Sequence, residues 1–165
     1  MRMDAPPILL RPIGVVRSWR KDARSDVLSD AVAAIDLADD LPAESLVGLE
    51  HFSHAEIIYL FDRVAPESVV TGARHPRNNP AWPRVGIFAQ RAAERPNRLG
   101  SAIVRVVGRE GRRLRVVGLE AADGTPVLDI KPVMAECLPR DPVRQPDWAR
   151  ELMRHHWWQP TGRAG

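Results

Sequence analysis

The chain has 165 residues, with 24 lysines and arginines against 21 acids and a formal net charge of +3. That length allows one domain with a real core and excludes two large ones, so residues 1–165 read as a single domain with a core over about 8–140 and a helical tail over about 146–158. No apolar run approaches about 18 residues and no signal-peptide pattern is present, which leads us to expect a soluble cytoplasmic protein with no membrane partner. The single cysteine, Cys137, excludes an intramolecular disulfide and offers no metal-site pattern, so no metal is expected.

Charge is unevenly spread. Asp22 to Glu67 holds eleven acids against Arg24 and Arg63, whereas Arg84 to Arg115 holds nine arginines against Glu94 and Glu110. This asymmetry points the middle of the chain at an anionic partner, although arginine in place of lysine throughout is also what a compositional bias produces.

In chain order, "ILLRPIGVVRSW" (Ile8 to Trp19) alternates around Pro12 and predicts a strand with an early kink. "AVAAIDLA" predicts a second strand, and "HAEIIYLFDRV", β-branched and aromatic, predicts a buried third. A polar connection from Pro66 to Pro83 is longer than an idle loop, and "RVGIFAQR" reads as a short strand after it. "SAIVRVVGREGRRLRVVGLE" is a β-hairpin whose alternating arginines share one face. The tail "PDWARELMRHHWW" predicts one helix with Asp147 as its N-cap. The strands are too closely spaced for βαβ units, so an all-β barrel or curved sheet with a C-terminal helix is expected.

Two stretches carry chemistry. "FAQRAAERPNRLGS" (88–101) leaves a strand, passes Arg91 and Arg95, and turns at Pro96-Asn97 with backbone freedom enough to fold around a small ligand. The arginine forks suit a carboxylate or phosphate, though the same sequence also makes an ordinary exposed turn. "GLEAADGTPVLDIKP" places a turn at Asp123–Pro126 before a strand carrying Asp129 and Lys131. Their period-two spacing puts both on one face, as a structural ion pair or as substrate-facing groups. Asp129 is the first carboxylate to test as a base.

With "PIGVVRS", "GLEHFSH" and "RVGIFAQR", these stretches resemble the TsaA-like (TrmO) family over roughly residues 11 to 133. The resemblance implies an all-β, barrel-like methyltransferase that uses S-adenosylmethionine on the N6 of threonylcarbamoyladenosine beside the tRNA anticodon. It also implies a homodimer with the cofactor site near the subunit interface. Cofactor contacts carried over by the motifs are Phe61 and Asp62, Arg91, Arg95, Pro96, Asn97, Ser101, and the loop Asp123, Gly124, Thr125 and Pro126. Arg105, Arg113 and Arg115 of the hairpin offer a strip for tRNA phosphates.

The sequence also departs from that pattern. Arg98 replaces a proline, Val133 a tyrosine and Asp62 a histidine; no Pro-Arg-Gln segment occurs in residues 20 to 30, and the C-terminal domain of the longer tRNA enzymes has no counterpart. A small-molecule methyl acceptor is therefore the second expectation, and a non-enzymatic RNA- or cofactor-binding module the third. His51 and His54 lack companions for a metal site and read as structural, while His155, His156, Trp157 and Trp158 read as packing groups of the tail.

Overall fold

The computed structural model describes residues 6–19, 31–154 and 156. Six strands close into a barrel in the order β1-β2-β7-β6-β3-β8, with every neighbouring pair antiparallel. They are β1 (Gly14–Arg17), β2 (Val32–Leu37), β3 (His54–Leu60), β6 (Leu99–Glu110), β7 (Arg113–Val117) and β8 (Pro126–Pro132). Between β3 and β6 the chain makes an excursion whose β4 (Ala73–Arg74) and β5 (Val85–Gly86) form a separate two-stranded sheet.

Alternation in the sequence becomes alternation of burial. Along β3, Ala55, Ile57 and Tyr59 point inward, and β2 contributes Ala33, Ile35 and Leu37. Val16, Val104, Leu114, Val116 and Val127 fill the rest of the interior. Each fully buried Val, Leu or Ile contributes roughly 1.5–3 kcal/mol relative to exposure, so this cluster sustains the barrel.

The hairpin β6–β7 forms as read, with a tighter turn: the strands run on to Glu110 and Arg113, leaving Gly111-Arg112 between them. The register slips between Val106 and Gly108, and again in β3–β8 between Ile58 and Tyr59. Bulges of this kind re-aim side chains at barrel rims.

Three expectations need correction. Strand β1 covers only Gly14–Arg17; Ile8, Leu9 and Leu10 are exposed, because hydrophobicity alone supplied them no partner strand. "RVGIFAQR" is a strand only at Val85–Gly86, then a 3₁₀ turn over Ile87–Ala89. The C-terminal helix α1 is Asp147–Leu152, shorter than expected. Asp147 is its first residue rather than its cap, and the Pro146 carbonyl accepts from Ala149 and Arg150. His155, Trp157, Trp158 and the 20–30 segment lie outside the described residues. Among the described residues no helix is long and apolar enough to cross a membrane.

Candidate functional site

The antiparallel order brings the C-terminal ends of β1 and β3 to the same rim as the N-terminal ends of β6 and β8. Both motif loops are therefore tied to the segment that follows β3. The Phe61 amide donates to the Arg98 carbonyl (2.8 Å), and Arg98 Nη1 donates back to the Val64 carbonyl (2.6 Å). Arg63 Nη2 reaches the Asp123 carbonyl (2.6 Å), and the Ser18 amide donates to Asp123 Oδ1 (3.0 Å). The Gly124 amide donates to Val16 and the Val16 amide to Thr125, whose side chain is buried. Gly124 has φ +83°, which glycine tolerates readily.

The 88–101 segment is held by its own arginines. Arg91 Nη2 donates to the Ser101 carbonyl (2.5 Å) and Oγ (3.2 Å). Arg95 Nη1 donates to the Gln90 carbonyl (3.0 Å), with its guanidinium 6.0 Å from the centre of the exposed Phe88 ring. After Pro96, Asn97 and Arg98 both take positive φ (+62° and +52°), a strained pair outside helix geometry. Such conformations persist only where surrounding contacts enforce them, here the Arg98–Val64 and Phe61–Arg98 bonds. Asp62 is exposed at this rim, its amide bonded to Leu60.

Tyr59 forms the floor beneath these loops. It is buried, lies edge-on to Phe61 with ring centres 5.2 Å apart, and rests against Gly100, where no side chain would fit. Burial pushes its hydroxyl up to about 12; the Glu120 carboxylate acts in the same direction, and the Arg91 guanidinium opposes it. Glu120, three residues before the Asp123 turn, contacts His156 Nδ1 through Oε1 at 3.2 Å.

Asp129 and Lys131 share the outer face of β8, as their spacing predicts, and form an ion pair. The hydrogen bond from Lys131 to Asp129 raises the lysine's pKa, and Asp129 Oδ1 also accepts from the Ile130 amide (2.9 Å). Ser101, Ile58 and Asp129 stand in register across β6, β3 and β8, so the pair borders the Arg91–Ser101 contact laterally.

The arginine hairpin is not one uniform cationic strip. Arg113 grips Asp36 in a fork (Nε–Oδ1 2.6 Å, Nη2–Oδ2 2.8 Å) that Arg17 also approaches. Arg112 pairs with Asp39 and Arg109 with Glu50. Part of the charge asymmetry along the sequence is thus answered within the fold, where Asp36 of β2 faces Arg113 of β7 and Asp39 and Glu50 hold Arg112 and Arg109. Arg105 and Arg115 are exposed and have no ion-pair partner among the described residues.

Residues 22–137 match the family model of the tRNA-methyltransferase O N-terminal domain. The chain belongs to this family. Within it, the chain is 38% identical over 143 residues to a probable S-adenosyl-L-methionine-binding protein of Pyrococcus abyssi, covering 83% of this chain and 74% of the relative. To the tRNA (adenine(37)-N6)-methyltransferase of Mus musculus it is 31% identical over 142 residues, covering 81% of this chain and 32% of that enzyme. The crystal structure of TrmO from Pseudomonas aeruginosa superposes with a TM-score of 0.69 at 29% identity, covering 89% of this chain and 64% of that one. The chain thus spans three quarters of the archaeal relative, a third of the mouse enzyme and under two thirds of the TrmO chain.

Several contributors to this family member's rim escape sequence reasoning. Arg63 and Arg98 tie the loops together through backbone carbonyls, and Gln90 is buried with its amide on the Arg74 and Val85 carbonyls. Tyr59 and Glu120 sit inside quoted motifs, yet nothing in their spacing reveals that the charge of one acts on the hydroxyl of the other.

Proposed function

We propose that this chain is an S-adenosylmethionine-dependent methyltransferase of tRNA, acting on the N6 of threonylcarbamoyladenosine beside the anticodon. The observation that carries this reading is the convergence of the 88–101 and 123–126 loops on one barrel rim, in a family whose relatives are named for this cofactor and for tRNA adenine methylation. The rim's chemistry fits the cofactor. Guanidiniums of Arg91 and Arg95 suit its carboxylate, the carboxylate of Asp62 suits its cationic groups, and the exposed Phe88 ring offers an apolar wall. When bound, S-adenosylmethionine supplies a methyl group on a sulfonium. Pro96, Asn97, Ser101 and the Asp123–Pro126 turn line the same rim, and the protein's main work there is alignment of an acceptor nitrogen. Arg105 and Arg115, with Arg113 beside them, are the cations assigned to tRNA phosphates.

A second reading, a small-molecule acceptor, draws support from the ion pairs that neutralise Arg109, Arg112 and Arg113. Incubation with labelled cofactor and total tRNA, followed by nucleoside analysis, decides between them. Label in a modified adenosine supports the tRNA reading, and none there overturns it. We further propose a single-domain cytoplasmic homodimer, supported by the exposed apolar side chains Leu99, Ile103 and Val107 along the outer face of β6.

A further inference from the structure

We propose that Glu120 is the general base that takes the proton from the acceptor nitrogen during methyl transfer. The inference rests on the methyltransferase reading above and concerns a residue that no motif role covers. In the step, the bond from the acceptor nitrogen to the methyl carbon forms as the carbon–sulfur bond breaks. That bond's electron pair stays on sulfur, and the nitrogen's proton passes to the Glu120 carboxylate.

Position argues for it first. Glu120 lies on the buried stretch between β7 and the Asp123 turn, with Leu119, Ala121 and Ala122 packed inward on either side, so its backbone is fixed relative to the rim. Its side chain stays about one third exposed. His156 from the tail contacts it, and the charges of Glu120 and Arg91 act in opposite directions on the Tyr59 hydroxyl of β3. The Nδ1 contact from His156, itself mostly covered, orients the carboxylate and offers the proton an exit toward solvent. Asp129, the other carboxylate beside this rim, is paired with a lysine ammonium and accepts from the Ile130 amide, whereas the Glu120 partner is an imidazole, a group that can itself pass a proton onward.

Electrostatics on the floor agrees. Tyr59 ionises only near pH 12, so at neutral pH it is a hydroxyl donor and not a competing base. The Glu120 carboxylate acts on the floor ring as a negative charge, and the Arg91 guanidinium opposes it.

The test uses the full chain with S-adenosylmethionine and tRNA. Glu120→Gln is expected to keep cofactor affinity within about twofold by calorimetry while lowering kcat by roughly 10²–10⁴-fold. It should also lose the acid limb of the pH–rate profile, and Glu120→Asp should restore part of the rate and the limb. Tyr59 is the chain's one tyrosine, so its ultraviolet ionisation curve reports on the carboxylate without catalysis, and Glu120→Gln should move that curve to lower pH. An unmoved curve, a retained acid limb, or a rate loss matched by lost cofactor affinity overturns the assignment. So does Asp129→Asn removing the limb while Glu120→Gln keeps it. A parent protein that binds the cofactor yet methylates nothing overturns the methyltransferase reading itself, and the base with it.

Discussion

The ring of Tyr59 occupies the space that a side chain on Gly100 would need: a Cβ there would lie 2.5 Å from Cε2 and 2.6 Å from Cζ, with Phe61 at 3.0 Å. Gly100, the second residue of β6, is therefore seated on the barrel's floor. Gly100→Ala forces the ring or the loop to shift, and overpacking of this kind costs roughly 1–3 kcal/mol. In a chain of this size that is a fall of roughly 2–4 °C in Tm per kcal/mol, read by calorimetry or circular dichroism. A Tm equal to that of the parent would show that the loop is free to lift away.

Arg91 binds Ser101 at two acceptors and is the cation assigned to the cofactor's carboxylate. Hydrogen bonds to charged groups contribute about 1.5–3 kcal/mol, so Arg91→Ala should raise the Kd for S-adenosylmethionine roughly 10- to 150-fold. Isothermal calorimetry measures it directly. An unchanged Kd removes Arg91 from the site.

The ion pairs sort the hairpin arginines. Arg105→Ala with Arg115→Ala should flatten the slope of log K for tRNA against log salt by about two units while cofactor affinity holds. Arg113→Ala should leave that slope nearly intact, since its charge already faces Asp36. Filter binding across a salt series distinguishes them, and equal effects from all three would mean that Asp36 releases its arginine to RNA.

Asp36 sets an acid limit. Its hydrogen bond from Arg113, helped by Arg17, holds its carboxyl below the usual range. The stability this contributes is present above the unfolded carboxyl value, about 4, and is lost as pH falls through the lower folded value. Asp36→Asn should therefore melt below the parent at neutral pH, the gap closing in acid. A gap that persists undiminished well below that value would assign the loss to packing.

If the outer face of β6 is the subunit contact, light scattering at micromolar protein gives twice the 18.4 kDa chain mass. Ile103→Lys, in the middle of that face and half exposed, should then shift the mass to the monomer without lowering the barrel's burial. A monomeric parent removes the dimer.

Much of this architecture is legible in the sequence because period-two alternation survives wherever one face is buried. The β6–β7 hairpin, the buried face of β3 and the Asp129–Lys131 pair all follow from it. Sequence reading fails where partners are distant. The exposed Ile8–Leu10 look like a strand because a hydrophobic run does not state whether a neighbour exists. The neutralisation of Arg113 depends on the register that sets Asp36 opposite it, 77 positions away. The Glu120–His156 contact depends on where a tail comes to rest, which local spacing does not encode.

Closure of the barrel joins Gly14 to Val127 and Val15 to Pro126. A chain emerging from the ribosome can pair β6 with β7 almost at once, since only two residues separate them. The last seam must wait until β8 has been made, and so must the Asp123–Pro126 turn, whose Gly124 amide is satisfied by Val16 of β1. Long-range closures of this kind are slow compared with hairpin formation. A nascent or partly unfolded chain consequently holds a finished hairpin beside an open sheet edge and lacks the rim proposed to bind the cofactor. Ligand affinity is thus a late reporter of refolding, one that turns on only when the two ends of the barrel have found each other.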